Sequence, residues 1–476
     1  MSKPHNPEHL AELRLSMESD GGDLVRAFIR EAALADGVSP TISSLIAADA
    51  QETWLALCQS HPGRERASVV LSSSRGEVRA RIQLKGHSRF SAIVASLGDR
   101  MRRDAALSYR ERGVDGWEIT LHRGLDPSNE PAGPLAEPPE KAAAPTDAVR
   151  IDLPEERDSA AIARCFLAVY GHNYLHPEVF SPRRYWRKVE SGEVIPVVSR
   201  DETGDVIGHV ALEREPGAAI AERGEAVVLP AYRGRHLLER MTERLTTEAL
   251  RLGLVGIYAE PVTTHIFSQR NDERAGMPTC AILLGASPET SHAKDLPAPP
   301  AGQRQSFLLT FRFLGAAPKR EIVAPKEYLE VLSEIYASLG VDVSISEGRT
   351  PTAAQSMTSV TVNDRGFGKL RFETIGSNIG IELTQAMSDL AGLGARTVQL
   401  SAHVDDPGLP LLTESARRLG FFFCGLGPAF SEGRDLLFMQ RLSEPLDIEE
   451  LQLFTDRTKE LAAFIERDRR SAASQR

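Results

Sequence analysis

The chain has 476 residues, 41% of them hydrophobic and 26% charged, with a formal net charge of −10. That length exceeds one hydrophobic core and suggests about three domains. The acidic balance excludes a general nucleic-acid or anionic-membrane surface, so any anionic ligand has to be captured by a local basic cluster.

Residues 1–124 read helix, helix, strand, strand, helix, strand. DLVRAFIREAALADG and IAADAQETWLALCQSH are helical, SVVLSSS and VRARIQLKG form an antiparallel pair, and WEITLHR closes the unit. Residues 125–148, rich in Pro, Ala and Glu, predict an extended linker. From 149 to 315 follow the strand GHVALERE, a strand ending at Pro230, the helix LLERMTERLTTEALRLGL with a stripe of Leu238, Met241, Leu245 and Leu252, the strand VGIYAEPV, the helix HIFSQRNDERAG and the strand TCAILLGASP. Residues 286–305 are either a second linker or a long loop before the strand SFLLTFRFL.

Residues 318–445 repeat that order with IGIELTQAMSDLAGLGA, TVQLSAHV, LPLLTESARRLG and FFFCGLGP. Leu252-Gly253 matches Leu393-Gly394, Gly276 matches Gly420 and Pro288 matches Pro428, which predicts two homologous α/β domains in tandem. Residues 446–476 predict a terminal amphipathic helix on Leu451, Phe454, Leu461 and Phe464. The isolated cysteines Cys58, Cys165, Cys280 and Cys424 lack metal-ligand spacing, so no metal site is expected. With no apolar signal core and no run of about 18 apolar residues, a soluble cytoplasmic protein that binds neither membrane nor nucleic acid is expected.

Chemistry concentrates in GEAVVLPAYRGRHLLERM, residues 224–241, a strand, a basic turn and a helix start. Unpaired N–H groups and the helix dipole favour a diphosphate there, and Arg233 and Arg235 add charged donors. His236 fits such a turn if its backbone angles are ordinary helical ones.

These residues and the repeat resemble the GCN5-related N-acetyltransferase (GNAT) superfamily, over 149–315 and more weakly over 318–445. The resemblance implies acetyl-CoA or another acyl-CoA as cofactor. Val227, Val228 and Leu229 match the strand that pairs with pantetheine, and Arg233, Gly234, Arg235, His236, Leu237 and Leu238 match the pyrophosphate turn, with His236 and Leu238 where the family has small residues. A small amine would attack the thioester directly, with Glu225 or Glu213 as base, although either reads more readily as a solvated surface carboxylate. Asp272 stands where the family has its proton-donating tyrosine, leaving His265, Tyr258 or solvent for that role. Thr263, Thr264, His265 and Gln269 follow a strand end where α/β sheets place ligands, and Thr264 reads equally as a helix N-cap. The second copy has Gly376 and Gly380 but no arginine in its turn, and Ala416 at the tyrosine position.

Residues 20–124 resemble the anti-sigma-factor serine kinases of the histidine-kinase-like ATPase superfamily. Glu52 fits their pattern, but Ala56 replaces the metal-holding asparagine and Leu84-Lys85-Gly86-His87-Ser88 replaces Asp-x-Gly-x-Gly. That implies a module without ATP that pairs with a protein partner or a second copy. The expected fold class is thus α/β (α+β): tandem GNAT-like mixed sheets flanked by helices, plus an N-terminal α/β sandwich. A regulatory or scaffold protein, or a CoA sensor, is the alternative to an enzyme.

Overall fold

A computed structural model of the chain describes residues 11–18, 20–60, 66–73, 77–84, 106–111, 117–124, 149–171, 174, 177–214, 217–287, 297, 299–300, 302–362 and 366–474. The expected linker at 125–148, the expected helix between 85 and 105, positions 85–88 of the ATPase-like motif and most of the 286–305 break lie outside the described residues.

Alternating apolar residues set the first sheet. Strands β1 (Ala11–Ser16), β2 (Arg66–Ser73), β3 (Glu77–Leu84), β4 (Ala106–Glu111) and β5 (Trp117–Gly124) lie in the order β1-β2-β3-β5-β4, all antiparallel. Helices α1 (Gly21–Ala35) and α2 (Pro40–Ser60) bury Ile29, Ile46, Trp54 and Leu57 in one core with Val69, Leu71, Ile82 and Leu121 of the sheet. WEITLHR therefore lies inside the sheet rather than closing it, because β4 pairs on its far side. Strands β1 and β4 are additions to the sequence reading.

The next unit runs β6 (Arg150–Asp152), α3 (Ser159–Tyr170), α4 (Pro182–Ser191), β7 (Val194–Arg200), β8 (Val206–Glu213), β9 (Ile220–Val228), α5 (Leu237–Arg251), β10 (Gly256–Ala259), α6 (Phe267–Arg274), β11 (Thr279–Ser287) and β12 (Gln305–Phe313). Its strands lie β6-β7-β8-β9-β10-β12-β11, and only β9 and β10 are parallel. Helix α5 turns Leu237, Met241, Leu245 and Ala249 into the core, so the buried stripe starts at Leu237, with Leu238 and Leu252 half-buried. Strands β11 and β12, on either side of the 286–305 break, pair antiparallel and belong to the same sheet.

The last unit contains β13 (Arg320–Ile322), α7 (Leu329–Ser338), β14 (Val343–Ile345), β15 (Met357–Val362), β16 (Phe367–Thr374), α8 (Ile379–Gly392), β17 (Thr397–His403), α9 (Leu409–Arg418), β18 (Phe422–Ser431), β19 (Arg434–Leu442) and α10 (Asp456–Ala473). Apart from the small β13–β14 pair, its order β15-β16-β17-β19-β18 repeats β8-β9-β10-β12-β11, again with one parallel pair, β16 and β17. The two units join edge to edge where Ala281 of β11 meets Gly425 of β18, whose φ of +141° and lack of room for a Cβ against Ala281 both require glycine. Strand β15 in turn pairs with β4, so among the described residues one mixed sheet of 17 strands crosses the molecule.

Helix α10 starts later than the sequence pattern predicts. Leu451 and Phe454 precede it, and Thr455 caps it through a hydrogen bond from Thr458 N–H. Asp468 on α10 pairs with Arg417 and accepts from the Tyr328 hydroxyl (3.0 Å) and Phe423 N–H (2.8 Å), tying the helix to the last unit.

Candidate functional site

The parallel pair β9/β10 separates almost as soon as it forms. Its rungs are Ile220–Gly256, Ala221–Ile257 and Glu222–Tyr258, after which β9 continues to Val228 with β8 as its only sheet neighbour among the described residues. The corresponding pair β16/β17 stays zipped over six rungs, from Phe367–Thr397 to Phe372–Ala402. The unit of β6–β12 thus has a wedge-shaped opening in its sheet and the last unit has none there.

Along the free side of β9, the register decides which amides are available. Leu229 N–H bonds Ile207 O of β8 (3.0 Å), so the antiparallel alternation turns Val228 away from β8 and into the opening. The carbonyl of Val228 receives Arg233 Nε (3.3 Å) and that of Ala226 receives the Tyr170 hydroxyl (3.0 Å). Of Val227, Val228 and Leu229, only Val228 therefore presents backbone to the opening.

The basic turn leads from β9 into α5. His236 adopts φ +56°, ψ +25° and Gly234 φ +80°. His236 is left-handed rather than helical, at the position where a glycine would be free of strain. Its ring lies outward, 61% exposed, with Nδ1 2.9 Å from Glu239, so it does not plug the turn. The first intrahelical bond runs from Arg240 N–H to His236 O (3.0 Å), which leaves the N–H groups of Leu237, Leu238 and Glu239 without helical partners. Leu237 points into the core and Leu238 is half-buried. Arg233 is exposed, and the Arg235 guanidinium lies 5.7 Å from the Tyr232 ring centre.

The equivalent corner of the last unit is filled by the chain itself. Ser377 and Asn378 N–H donate to Ala353 and Ala354 O (both 2.9 Å), Gly376 N–H donates to Ser356 Oγ (2.9 Å), and Glu382 accepts from Ser356. A Cβ on Gly376 would strike the Gln355–Ser356 backbone.

Glu225 is the most unusual residue beside the opening. It occupies a bulge in β9, because Gly224 pairs with Ala211 while Val227 pairs with His209, and its φ is +48°. It is 2% exposed, and neither carboxylate oxygen has a hydrogen-bond partner. Its own carbonyl receives His209 Nδ1 (2.9 Å). A carbonyl only accepts, so Nδ1 carries the proton and Nε2 accepts from the Tyr185 hydroxyl 2.7 Å away. Burial lowers His209 to a pKa of about 4, so the ring is neutral. Burial, with the Glu213 charge, raises the Glu225 pKa well above the ordinary carboxylate range, and outweighs the opposing influence of the Tyr185 hydroxyl and Lys188. Tyr185 and His209 were not visible as site residues in the sequence.

Glu222 and Tyr258 share the last β9/β10 rung, at the apex of the opening, with Tyr258 Oη 3.4 Å from Glu222 Oε2. Burial and the charges of Glu260 and Glu213 raise Glu222 well above its usual pKa, and burial and Glu222 raise Tyr258. Glu213 is half-buried, and its carboxylate lies over Gly224, where a Cβ would collide with it.

Two substrate-pocket expectations and one capping alternative are corrected. Thr263 is 2% exposed and bonds Ser306 O through both N–H (3.1 Å) and Oγ1 (3.0 Å). Gln269 is buried and ties the chain together, donating to Val262, His265 and Gln452 carbonyls and accepting from Phe454 N–H. Thr264 is no helix cap, since α6 begins at Phe267 after Ile266. Asp272, at the tyrosine position, is buried against Arg223 and accepts from Thr310 Oγ1 (2.8 Å), a structural lock. His265 is half-buried with its pKa lowered by burial, and its Nδ1 accepts from Phe267 N–H (3.3 Å). The Cys280 thiol is buried and its pKa raised, so it is no nucleophile.

Among the described residues no helix is long and apolar enough to cross a membrane, and no group of three or more His, Cys, Asp or Glu residues is placed to hold a metal. No family model matches the chain, and no curated protein matches it. Solved structures similar to part of it include ribosomal-protein-S5-alanine acetyltransferase from Vibrio fischeri (15% identical, covering 35% of this chain and 93% of that one, TM-score 0.28). Two others are the ribosomal-protein-S18-alanine N-acetyltransferase of Escherichia coli (13%, 36% and 96%, TM-score 0.28) and YncA of Salmonella typhimurium with its cofactor acetyl-CoA (19%, 38% and 98%, TM-score 0.29).

Proposed function

We propose that the chain is an acyl-CoA-dependent N-acyltransferase whose single working site is the β9/β10 opening. The observation that carries this is the pairing of an unzipped parallel strand pair with an unfilled, arginine-flanked helix start in one unit, while both are closed in the other. The diphosphate of CoA would lie on the Leu237–Glu239 amides, with Arg233 and Arg235 beside it, and the pantetheine amide would pair with Val228. Glu225 takes a proton from the acceptor ammonium, and the neutral nitrogen attacks the thioester carbonyl. The C–S bond then breaks and the thiolate takes up a proton. Tyr258 is the donor for that last step, since it stands protonated at the apex of the opening, whereas His265 is neutral and lies beyond the strand end.

In this reading both α/β units are GNAT-like and the second is architectural. The N-terminal unit is a nucleotide-free relative of the histidine-kinase-like ATPases, kept for pairing with a partner protein or a second copy. The Arg223–Asp272 lock, which replaces the family's tyrosine, favours a second reading in which the chain binds CoA as a sensor without turnover. Thermal unfolding of the full chain with CoA and acetyl-CoA tests the site. We expect protection that Arg233→Glu/Arg235→Glu abolishes without changing the melting temperature of the ligand-free protein. Protection that survives the double substitution refutes the assignment of the turn, and protection without turnover of any amine selects the sensor.

A further inference from the structure

The face of the opening beneath α3 and α4 gathers more carboxyl groups than a base requires, with Glu213 paired across β8 and β9 to Glu222. Glu213, Glu222 and Glu225 all act on the Tyr174 hydroxyl, and Glu178 and Glu260 lie near enough to act on Glu225 and Glu222 respectively. Among the described residues, the cations near them include Lys188, bound to Glu178 (2.5 Å), and Lys369 of β16, whose charge acts on Glu222. Aromatic rings complete the wall. The Tyr174 ring is tilted against Phe166 and Tyr170, with ring centres 4.5 Å and 4.8 Å away, and the Tyr258 ring centre lies 4.7 Å from that of Phe430 of the last unit. At the centre is Glu225, buried and with both carboxylate oxygens unpartnered, a deficit that a bound donor would remove.

We propose that the acceptor amine carries at least two positive charges, one nitrogen meeting Glu225 and a second, still protonated, held between Glu213 and Glu222 against the Tyr258 ring. Carboxylates supply charge-assisted acceptors for each ammonium, and tyrosine faces add cation–π attraction. Phe430 limits the far end of the site, so the second unit shapes specificity without chemistry of its own. The inference rests on the acyltransferase reading only for which nitrogen reacts; the binding of a dication stands apart from it.

The test is calorimetric titration of the full chain, with and without CoA, using 1,4-diaminobutane, butylamine and 1,4-butanediol. We expect the diamine to bind at least about tenfold more tightly than butylamine, the size of one further charged hydrogen bond. Glu213→Gln/Glu222→Gln should bring that ratio close to one while CoA still protects the protein thermally. The single variant Glu222→Gln, at a half-buried position, should lower the ratio in the same direction. Equal affinity for diamine and butylamine in a protein that CoA protects overturns this inference alone. Diamine preference without CoA protection overturns the acyltransferase reading and leaves the dication site standing, and the absence of both overturns both.

Discussion

Replacing Glu225 by glutamine should stabilise the protein while removing its activity. The carboxyl is 2% exposed without a hydrogen-bond partner, and its pKa in the folded chain is raised by burial and by Glu213. A raised carboxyl pKa means that the folded state holds its proton where the unfolded chain, with a pKa of about 4.3, has lost it. Folding stability therefore falls as pH rises above about 4.3, by roughly 1.4 kcal/mol per pH unit, until the folded group itself titrates. Glutamine has no such penalty, so the two proteins should match near pH 4 and diverge as pH rises. Over two units the gap reaches about 3 kcal/mol, or roughly 5–10 °C in melting temperature for a unit of this size. Thermal unfolding of both proteins at pH 4.5, 5.5 and 6.5 reads it directly. A variant no more stable than the parent at pH 6.5, or a gap independent of pH, refutes the assignment of Glu225 as a strained, unsatisfied acid.

Other outcomes follow from the same geometry. His236→Gly should stabilise the ligand-free chain by about 1 kcal/mol, because glycine adopts φ +56° without the clash histidine bears; denaturant unfolding checks it, and a loss of stability contradicts the left-handed turn. Asp468→Ala leaves Arg417 buried without its carboxylate and should cost about 3–5 kcal/mol, seen as a lower unfolding midpoint, whereas an unchanged midpoint means that α10 does not hold the last unit. Diamine binding, followed by calorimetry, should tighten as pH rises from 6 to 8, since Glu225 attracts a cation only once ionised; affinity falling over that range contradicts the raised pKa.

Much of this was legible because strands and helices alternate with clear periods. The element order from Gly208 to Leu314, and its recurrence from Ile379 to Pro428, could be written from apolar spacing, and the basic turn from two arginines and a proline; the strands Met357–Val362 and Arg434–Leu442 were not read. Glu225 was visible as a candidate, but its significance was not. That depends on a bulge and on His209 and Tyr185, which stand 16 and 40 positions earlier and meet it only when β8 and α4 pack. Thr263 and Gln269 misled for the converse reason. Polar residues after a strand can line a pocket or satisfy distant backbone, and the partners of Gln269, at Gln452 and Phe454, are about 185 residues away. The difference between the two units lay in strand pairing beyond the first rungs and in the 353–356 segment seated on Gly376, neither of which composition reveals.

The central claim is that CoA enters the wedge of one unit only, and hydrogen–deuterium exchange with and without CoA tests it most directly. The account predicts slower exchange at Val228 and across Gly234–Arg240, with residues 374–383 unchanged. No slowing at the first segment, or slowing confined to the second, contradicts it.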